Sequence, residues 1–252
     1  MLLLPSLDWR LEMNVTRETT VGEIVTADFR AAAVFQEFGI DFCCGGKRTI
    51  ADACKQREVD TDAVLNAVSR TCSAPGGAPR FDDWSLQTLI GYIVGNHHAF
   101  VRQALPSLTA YAEKIAVVHG DRHPELREVA QLVEEVAAEM TSHMAKEERV
   151  LFPFIGATAE AVQQGRPLPS APFGPIDNPI RMMEAEHDSA GAVMARLREL
   201  TNNYTVPDDG CTTYRVCFQG LEAFEQDLHA HVHLENNILF PKAKALAAAN
   251  VA

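Results

Sequence analysis

The chain has 252 residues, 47% of them hydrophobic, which is enough for one substantial core and a smaller second unit. Its 22 Lys and Arg residues against 34 Asp and Glu residues leave a formal net charge of -12, and repulsion from phosphate argues against broad contact with nucleic acid. Six scattered cysteines, no bilayer-length apolar run and no signal-peptide pattern at the start predict a cytoplasmic protein with thiols and no membrane partner.

Residues 15–72 predict a small helical N-terminal domain. Apolar residues such as Val21, Ile24 and Val25 recur at helical spacing, and strand-like alternation is scarce. A Pro- and Gly-rich stretch at 73–83 follows, and its composition predicts a linker.

Two adjacent cysteines, Cys43 and Cys44, stand before Gly45 and Gly46 in this domain. One interpretation is structural, because the glycines allow the backbone to turn sharply. The other is functional, because a disulfide between neighbours is strained, whereas two thiolates near Lys47 could bind metal or exchange electrons. Cys43 and Cys44 are therefore candidate functional thiols, and the other four cysteines are interpreted as packing or incidental thiols.

The remaining residues, 84–248, predict an antiparallel four-helix bundle. Apolar spacing stays helical over four long runs, which cover about 86–118, 124–150, 179–203 and 212–236. Loops join these runs, including a second Pro- and Gly-rich stretch at 165–179. The fold class is therefore all-α.

The second and fourth predicted helices carry the same string. His-x-x-x-Glu occurs at 143–147 and again at 231–235, 88 positions later, and each copy leads into Leu-Phe-Pro. Each of the other two helices has a histidine 44 or 45 positions before its partner string, so the bundle is two copies of one helix pair. The six candidate metal ligands are His98, His143, Glu147, His187, His231 and Glu235.

This spacing has a direct physical meaning, because residues i and i+4 share one face of a helix. A single such pair is commonly an exposed ion pair, but its duplication favours a metal site. Four imidazoles and two carboxylates suit two iron ions bridged by carboxylates. Glu148, next to Glu147, is predicted to point elsewhere, and the Leu-Phe-Pro tails are predicted to be core residues that end the helices.

Other histidines compete for these roles. His97 adjoins His98, and neighbours on a helix point about 100° apart, so only one of them can face the centre. His229 and His233 form their own i, i+4 pair and compete with His231. The spacing between the two copies favours His98 and His231.

Three carboxylates near the candidate ligands could accept an imidazole N–H and orient the ring. Glu139 and Asp227 lie one turn before the ligand histidines, and for them a solvated helix face is the equal alternative. For Glu186 the solvated face is the favoured interpretation. His119 and His123 flank a loop and are expected to be solvated.

These strings together resemble those of the bacterial iron-sulfur cluster repair di-iron proteins, whose small N-terminal domain carries a DFCCGG-like motif and whose C-terminal domain is hemerythrin-like. The resemblance covers about residues 15–247. It is marked by Asp41-Phe42-Cys43-Cys44-Gly45-Gly46-Lys47, by Ser142-His143-Met144-Ala145-Lys146-Glu147-Glu148, by Glu186-His187-Asp188 and by the string from His231 to Pro241. The family's ligands fall on His98, His143, His187 and His231, with bridging carboxylates at Glu147 and Glu235.

The resemblance implies repair of clusters damaged by nitric oxide or peroxide, with damaged iron-sulfur proteins as partners. Two non-haem Fe ions, bridged by oxo and carboxylate groups, would be the labile iron source. Two alternatives stay open: reduction of nitric oxide to nitrous oxide at the di-iron site, and a gas or iron sensor without turnover. A homodimer is also open, the first 14 residues have no interpretation, and His97 stands where the family usually has an aromatic residue.

Overall fold

A computed structural model describes residues 15–74 and 79–249 of the chain. The chain divides into two compact units, of which one extends to Ser85 and includes Val232–Lys242, and the other comprises Leu86–His231 and the residues from Ala243 onward. The predicted absence of a signal peptide and the middle of the predicted linker concern residues outside the described ones.

The described residues of the N-terminal unit form four short α-helices, which confirms the prediction of a helical N-terminal segment. They are α1 Val21–Ala27, α2 Ala31–Glu37, α3 Ile50–Arg57 and α4 Thr61–Ser73. Thr20 and Glu23 form a reciprocal capping box at the start of α1, which satisfies two backbone N–H groups there.

The end of the predicted linker is packed into this unit. Phe81–Asp83 form a short 3-10 helix, and the Phe81 side chain is buried. Its ring lies 5.7 Å from that of Phe29 and 4.8 Å from that of Trp84, both in edge-on geometry. The chain is therefore already anchored in the apolar core of the N-terminal unit before the first long helix begins.

Four long helices follow, at the places where the apolar periodicity predicts them. They are α5 at 86–119, α6 at 125–163, α7 at Asp177–Leu200 and α8 at 212–249. α5 packs against α6, and α6 against α7. α5 and α8 approach closely, because a Cβ atom on Gly220 would lie only 2.7 Å from Leu108. Their buried apolar faces form the core of the second unit, which confirms the predicted helical bundle.

Three of these helices widen into a π turn at the candidate ligands. The turns are Ile93–His98 in α5, Glu147–Leu151 in α6 and Leu234–Leu239 in α8, whereas α7 is α-helical throughout. Such turns are frequent at functional sites. The periodicity did not predict them, because one extra residue in a turn barely changes the apolar spacing.

The Leu-Phe-Pro tails do not end their helices, so that part of the prediction is wrong, whereas the Leu and Phe residues of both tails are buried as predicted. α6 continues from Phe152 to Gln163, and α8 from Phe240 to Ala249. Each proline stands two residues after its π turn, where the backbone hydrogen-bond register changes and a missing N–H costs least. Among the described helices, none is long and apolar enough to cross a membrane.

Candidate metal centre

The six predicted ligands are all buried. Their exposed fractions do not exceed 1% for His98, His143, Glu147, His187, His231 and Glu235. Burying this many ionisable side chains is costly unless they pair with one another or bind a cation.

The four histidines meet as two pairs through their Nε2 atoms. The distance is 3.2 Å between His98 and His231, and 3.0 Å between His143 and His187. Two donors at right angles around an ion about 2.1 Å away would lie about 3.0 Å apart. The separations within both pairs therefore fit two imidazoles that share one metal ion.

Glu147 is common to both histidine pairs. Its Oε2 atom lies 3.3 Å from Nε2 of His98 and 3.3 Å from Nε2 of His143. The candidate ligand atoms of His98, His231 and Glu147 all lie within 4.8 Å of one another. The same holds for those of His143, His187 and Glu147. The carboxylate of Glu147 therefore contacts one histidine of each pair.

Glu235 follows His231 on the same unbroken helix. It lies one turn later, at the i+4 position, and its side chain is fully buried. Because residues i and i+4 share a helix face, α8 itself directs the carboxylate of Glu235 to the side on which His231 meets His98.

Two further carboxylates lie within hydrogen-bond distance of the Nδ1 atoms of two of the histidines. Glu148 lies 2.6 Å from Nδ1 of His98, and Glu186 lies 2.9 Å from Nδ1 of His143. A carboxylate that accepts the Nδ1–H bond leaves Nε2 unprotonated, which is the form that binds metal.

Each of these carboxylates also has a cationic partner. The hydrogen bond from Arg102 lowers the pKa of Glu148, with a smaller contribution from His98. Burial alone would raise the pKa of Glu186, but hydrogen bonds from Lys146 and His143 lower it. Both carboxylates are thus ionised near neutral pH and can accept the imidazole N–H.

Sequence reasoning gave Glu148 no role and considered support of a histidine by Glu186 only as the less favoured interpretation. The interpretation of Glu186 as a solvated side chain is wrong, and Glu148 does point elsewhere than Glu147 but reaches His98. Each directly adjoins a ligand in the sequence, and neighbours on a helix point about 100° apart. The adjoining carboxylate therefore meets a histidine of the next helix.

Of the two carboxylates one turn before a ligand histidine, neither contacts that histidine. Asp227 lies 2.9 Å from Nδ1 of His97 on α5. Glu139 is half-buried and accepts a 3.4 Å hydrogen bond from the Ser189 hydroxyl. At the position one turn before a ligand, Asp227 of α8 therefore contacts the neighbouring helix α5, whereas Glu139 of α6 is partly exposed to solvent.

The competing histidines lie elsewhere. His97 is buried, and its ring stacks on that of His231 at 5.6 Å rather than bringing a nitrogen into the cluster. His233 contacts the N-terminal loop, where its Nδ1 lies 3.4 Å from the carbonyl oxygen of Phe42, and burial lowers its pKa to about 4. His229 is half-buried.

The expectation that His119 is solvated is wrong. The side chain is 4% exposed and lies edge-on to the ring of Tyr214 at 5.4 Å. His123 is half-buried, and its Nε2 lies 3.0 Å from Asp209. Both rings lie near the start of α8, and no sequence pattern indicated that these segments are neighbours.

The cysteine pair stands in a turn organised by Asp41. Its carboxylate accepts hydrogen bonds from the backbone N–H groups of Cys43, Cys44 and Gly45 at 2.9, 3.0 and 2.9 Å. The two sulfur atoms are thiols 3.9 Å apart. The hydrogen bond with Cys44, together with burial, raises the pKa of Cys43. Asp41, Cys43 and Cys44 form a third group whose spacing could hold a metal ion.

The glycines after the cysteines provide space. Neither Gly45 nor Gly46 has a positive φ. A Cβ atom on Gly46 would lie 2.5 Å from Oδ1 of Asn237, and one on Gly22 would lie 2.7 Å from the same atom. Asn237 enters this space and donates a 3.1 Å hydrogen bond to the carbonyl oxygen of Cys43. Close approach of Asn237, rather than backbone freedom, therefore accounts for Gly46.

Both parts of the chain match known protein families. Residues 17–71 match the domain of unknown function DUF542, and residues 88–243 match the hemerythrin HHE cation binding domain. Two similar proteins come from Yersinia pseudotuberculosis strain IP 31758 and Yersinia pestis strain Pestoides F, and each is named iron-sulfur cluster repair protein YtfE. Each is 37% identical to this chain over 227 residues, which is 90% of this chain and 97% of the relative.

Proposed function

We propose that this chain, which belongs to the iron-sulfur cluster repair protein family, restores clusters damaged by nitrosative or oxidative stress by supplying iron from a buried di-iron centre. The observation that carries this proposal is the position of Glu147, which is shared by two pairs of buried histidines. Its partners would be damaged iron-sulfur cluster proteins.

The proposed ligand set divides into two halves. His98 and His231 would hold one iron, His143 and His187 the other, and Glu147 and Glu235 would bridge them. These nitrogen and oxygen donors suit Fe(II) and Fe(III). Six protein ligands over two ions leave positions for an oxo bridge, water or a small oxidant.

The surrounding residues support iron that can be exchanged. The ligands themselves are buried, but the side chains of Glu148 and Glu186 are 28% and 31% exposed. These carboxylates hold the histidine rings and connect the buried cluster with the surface. Solvent or an acceptor can therefore approach without unfolding of the bundle.

We propose that the Cys43 and Cys44 thiols pass iron or electrons during repair. The proximity of the two sulfur atoms to each other and to the Asp41 carboxylate supports a transient metal site. Changing both cysteines to Ser should preserve the iron content but slow repair. Equal repair rates at equal iron content would reduce the pair to a structural turn.

The first test is metal analysis of the full chain from iron-replete cells. We expect about two irons per chain. A single iron, or zinc alone, would contradict the di-iron assignment.

The second test measures reactivation of an iron-sulfur dehydratase after its cluster has been damaged with nitric oxide. Iron-loaded protein should restore activity, whereas the metal-free chain should not. Nitrous oxide production without reactivation would favour nitric oxide reduction, and tight nitric oxide binding with neither outcome would favour a sensor.

A further inference from the structure

His97 is a buried polar residue that the proposed ligand set does not use. It adjoins His98 in the π turn of α5, and it is 7% exposed. Its imidazole contacts two residues of α8, Asp227 and His231. Both contacts lie beside the half of the centre that His98 and His231 would form.

The contact with Asp227 holds the ring of His97 in place. Nδ1 of His97 lies 2.9 Å from Oδ1 of Asp227, and the Asp227 side chain is 22% exposed. The ring of Tyr92, earlier on α5, meets the same imidazole edge-on at a centroid distance of 5.6 Å. A carboxylate and an aromatic neighbour therefore fix the plane of the His97 ring.

The fixed ring of His97 is stacked on that of His231. The two planes are 7° from parallel and their centroids lie 5.6 Å apart, which is the geometry of offset-stacked rings. In this orientation Nε2 of His231 lies 3.2 Å from Nε2 of His98. Rotation of His231 about its Cβ–Cγ bond would break the stack, so His97 favours the orientation in which the two nitrogens meet.

The repeat gives this contact an equivalent in the other copy. His97 and Glu186 each directly precede a candidate ligand, and they lie 89 positions apart. Glu186 contacts His143, whereas His97 contacts His231, which stands 88 positions after His143. Equivalent positions thus contact equivalent ligands, one through a carboxylate and the other through a ring face.

We propose that His97 is a positioning residue for the ligand His231, and that ring stacking has the role here that the Glu186 carboxylate has for His143. The proposal rests on the metal centre proposed above. A carboxylate fixes both the orientation of an imidazole and the nitrogen that keeps its proton, whereas a stacked ring fixes the orientation alone. Loss of the stack should therefore weaken metal binding less than loss of Glu186.

The first test titrates the metal-free full chain with Co(II), which binds imidazole and carboxylate and has visible absorption bands. His97→Leu removes the aromatic ring but keeps apolar bulk. It should weaken Co(II) binding about 2- to 10-fold, as expected for one stacked pair, and change the bands of the bound ion. His97→Phe should restore both, because a phenyl ring can stack on an imidazole. His123→Gln, which removes a histidine beyond the other end of α5, should match the wild type.

The second test uses no metal. NMR relaxation of the metal-free chain with ¹³C-labelled histidine rings measures the mobility of each ring. The His231 ring should become more mobile in His97→Leu and regain its wild-type mobility in His97→Phe. Asp227→Ala, which removes the hydrogen bond of His97, should have an intermediate effect. The His143 ring is the internal reference, since Glu186 holds it.

Wild-type mobility of the His231 ring in His97→Leu, or equal effects of His97→Leu and His97→Phe, would overturn the proposal. A wild-type chain that binds no Co(II) would contradict the metal centre and with it the ligand role of His231. Neither test measures cluster repair, so the stack can be confirmed even if the chain repairs no cluster.

Discussion

The two copies of the helix pair share their ligand string but differ in what surrounds it. At the positions 88 residues before His233 and Asn237, the first copy has Ala145 and Arg149. Arg149 is exposed, whereas Asn237 inserts beside Gly46 and holds the carbonyl of Cys43. The second copy has therefore changed to hold the cysteine turn, while its ligand positions have stayed the same.

The supporting carboxylates also break the repeat. Glu148 and Glu186 hold two of the histidines, but the matching positions of the other copy carry no carboxylate. Asn236 stands 88 positions after Glu148, and His97 stands 89 positions before Glu186. Asp227 contacts His97, whereas Glu139 at the matching position of the first copy contacts a serine. The two copies thus have the same ligand residues at the same helical spacing. The group that supports each histidine depends on which helix packs beside it.

The largest expected effect is the loss of a shared ligand. Glu147→Ala should remove most of the bound iron, because this carboxylate contacts a histidine of both pairs. Glu235→Ala should do the same if the two copies are equivalent at the centre. Iron per chain, measured by metal analysis, checks both variants.

Glu139→Ala is the control, since Glu139 is half-buried and lies on the same helix as Glu147, where it accepts a hydrogen bond from Ser189. Equal iron loss in the control would show that the variants fail by unfolding rather than by losing a ligand.

A smaller effect is expected from the supporting carboxylates. Glu148→Ala and Glu186→Ala should each weaken iron binding by about 10- to 100-fold, because the histidine ring then loses the partner that sets its tautomer. Asp227→Ala should change it less, because Asp227 holds His97. Competition with an iron chelator measures the affinities. An equal effect of all three variants would contradict the proposed difference between the two copies.

The space around Asn237 gives a stability prediction. Gly46→Ala should destabilise the protein by about 1–3 kcal/mol, because the new methyl group would overlap Asn237 and the Phe42 carbonyl. Gly156→Ala on α6 is the matched control, since its Cβ atom would meet nothing within 4 Å. It should be neutral or stabilise by up to about 1 kcal/mol. Denaturant unfolding of both variants checks the difference.

The smallest expected effect on stability comes from Asn237 and Arg149, the matching positions at which the two copies differ. Asn237→Ala should cost about 1–2 kcal/mol, because the Cys43 carbonyl loses its donor, and Cys44 should then be alkylated faster. Arg149→Ala, at the matching position of the first copy, should change stability by less than about 0.5 kcal/mol. Similar costs for the two variants would mean that Asn237 does not hold the turn.

The sequence predicted the helices better than their irregularities. Apolar periodicity located all four long helices, but the π turns and the continuation past Pro153 and Pro241 depend on local hydrogen-bond register, which side-chain type does not encode. The histidines show the same limit. The repeat selected His98 over His97, while the burial of His119 beside Tyr214 required knowledge of which helix lies next to it.

The sequence by itself determined the family, the all-helical architecture and the six positions proposed to hold iron, because a duplicated i, i+4 string leaves little choice of helix face. Only the tertiary structure decided that Glu148 and Glu186 support His98 and His143, and that Gly46 makes room for Asn237. These contacts join residues between about 40 and 190 positions apart, and packing between elements, rather than spacing within one, brings them together.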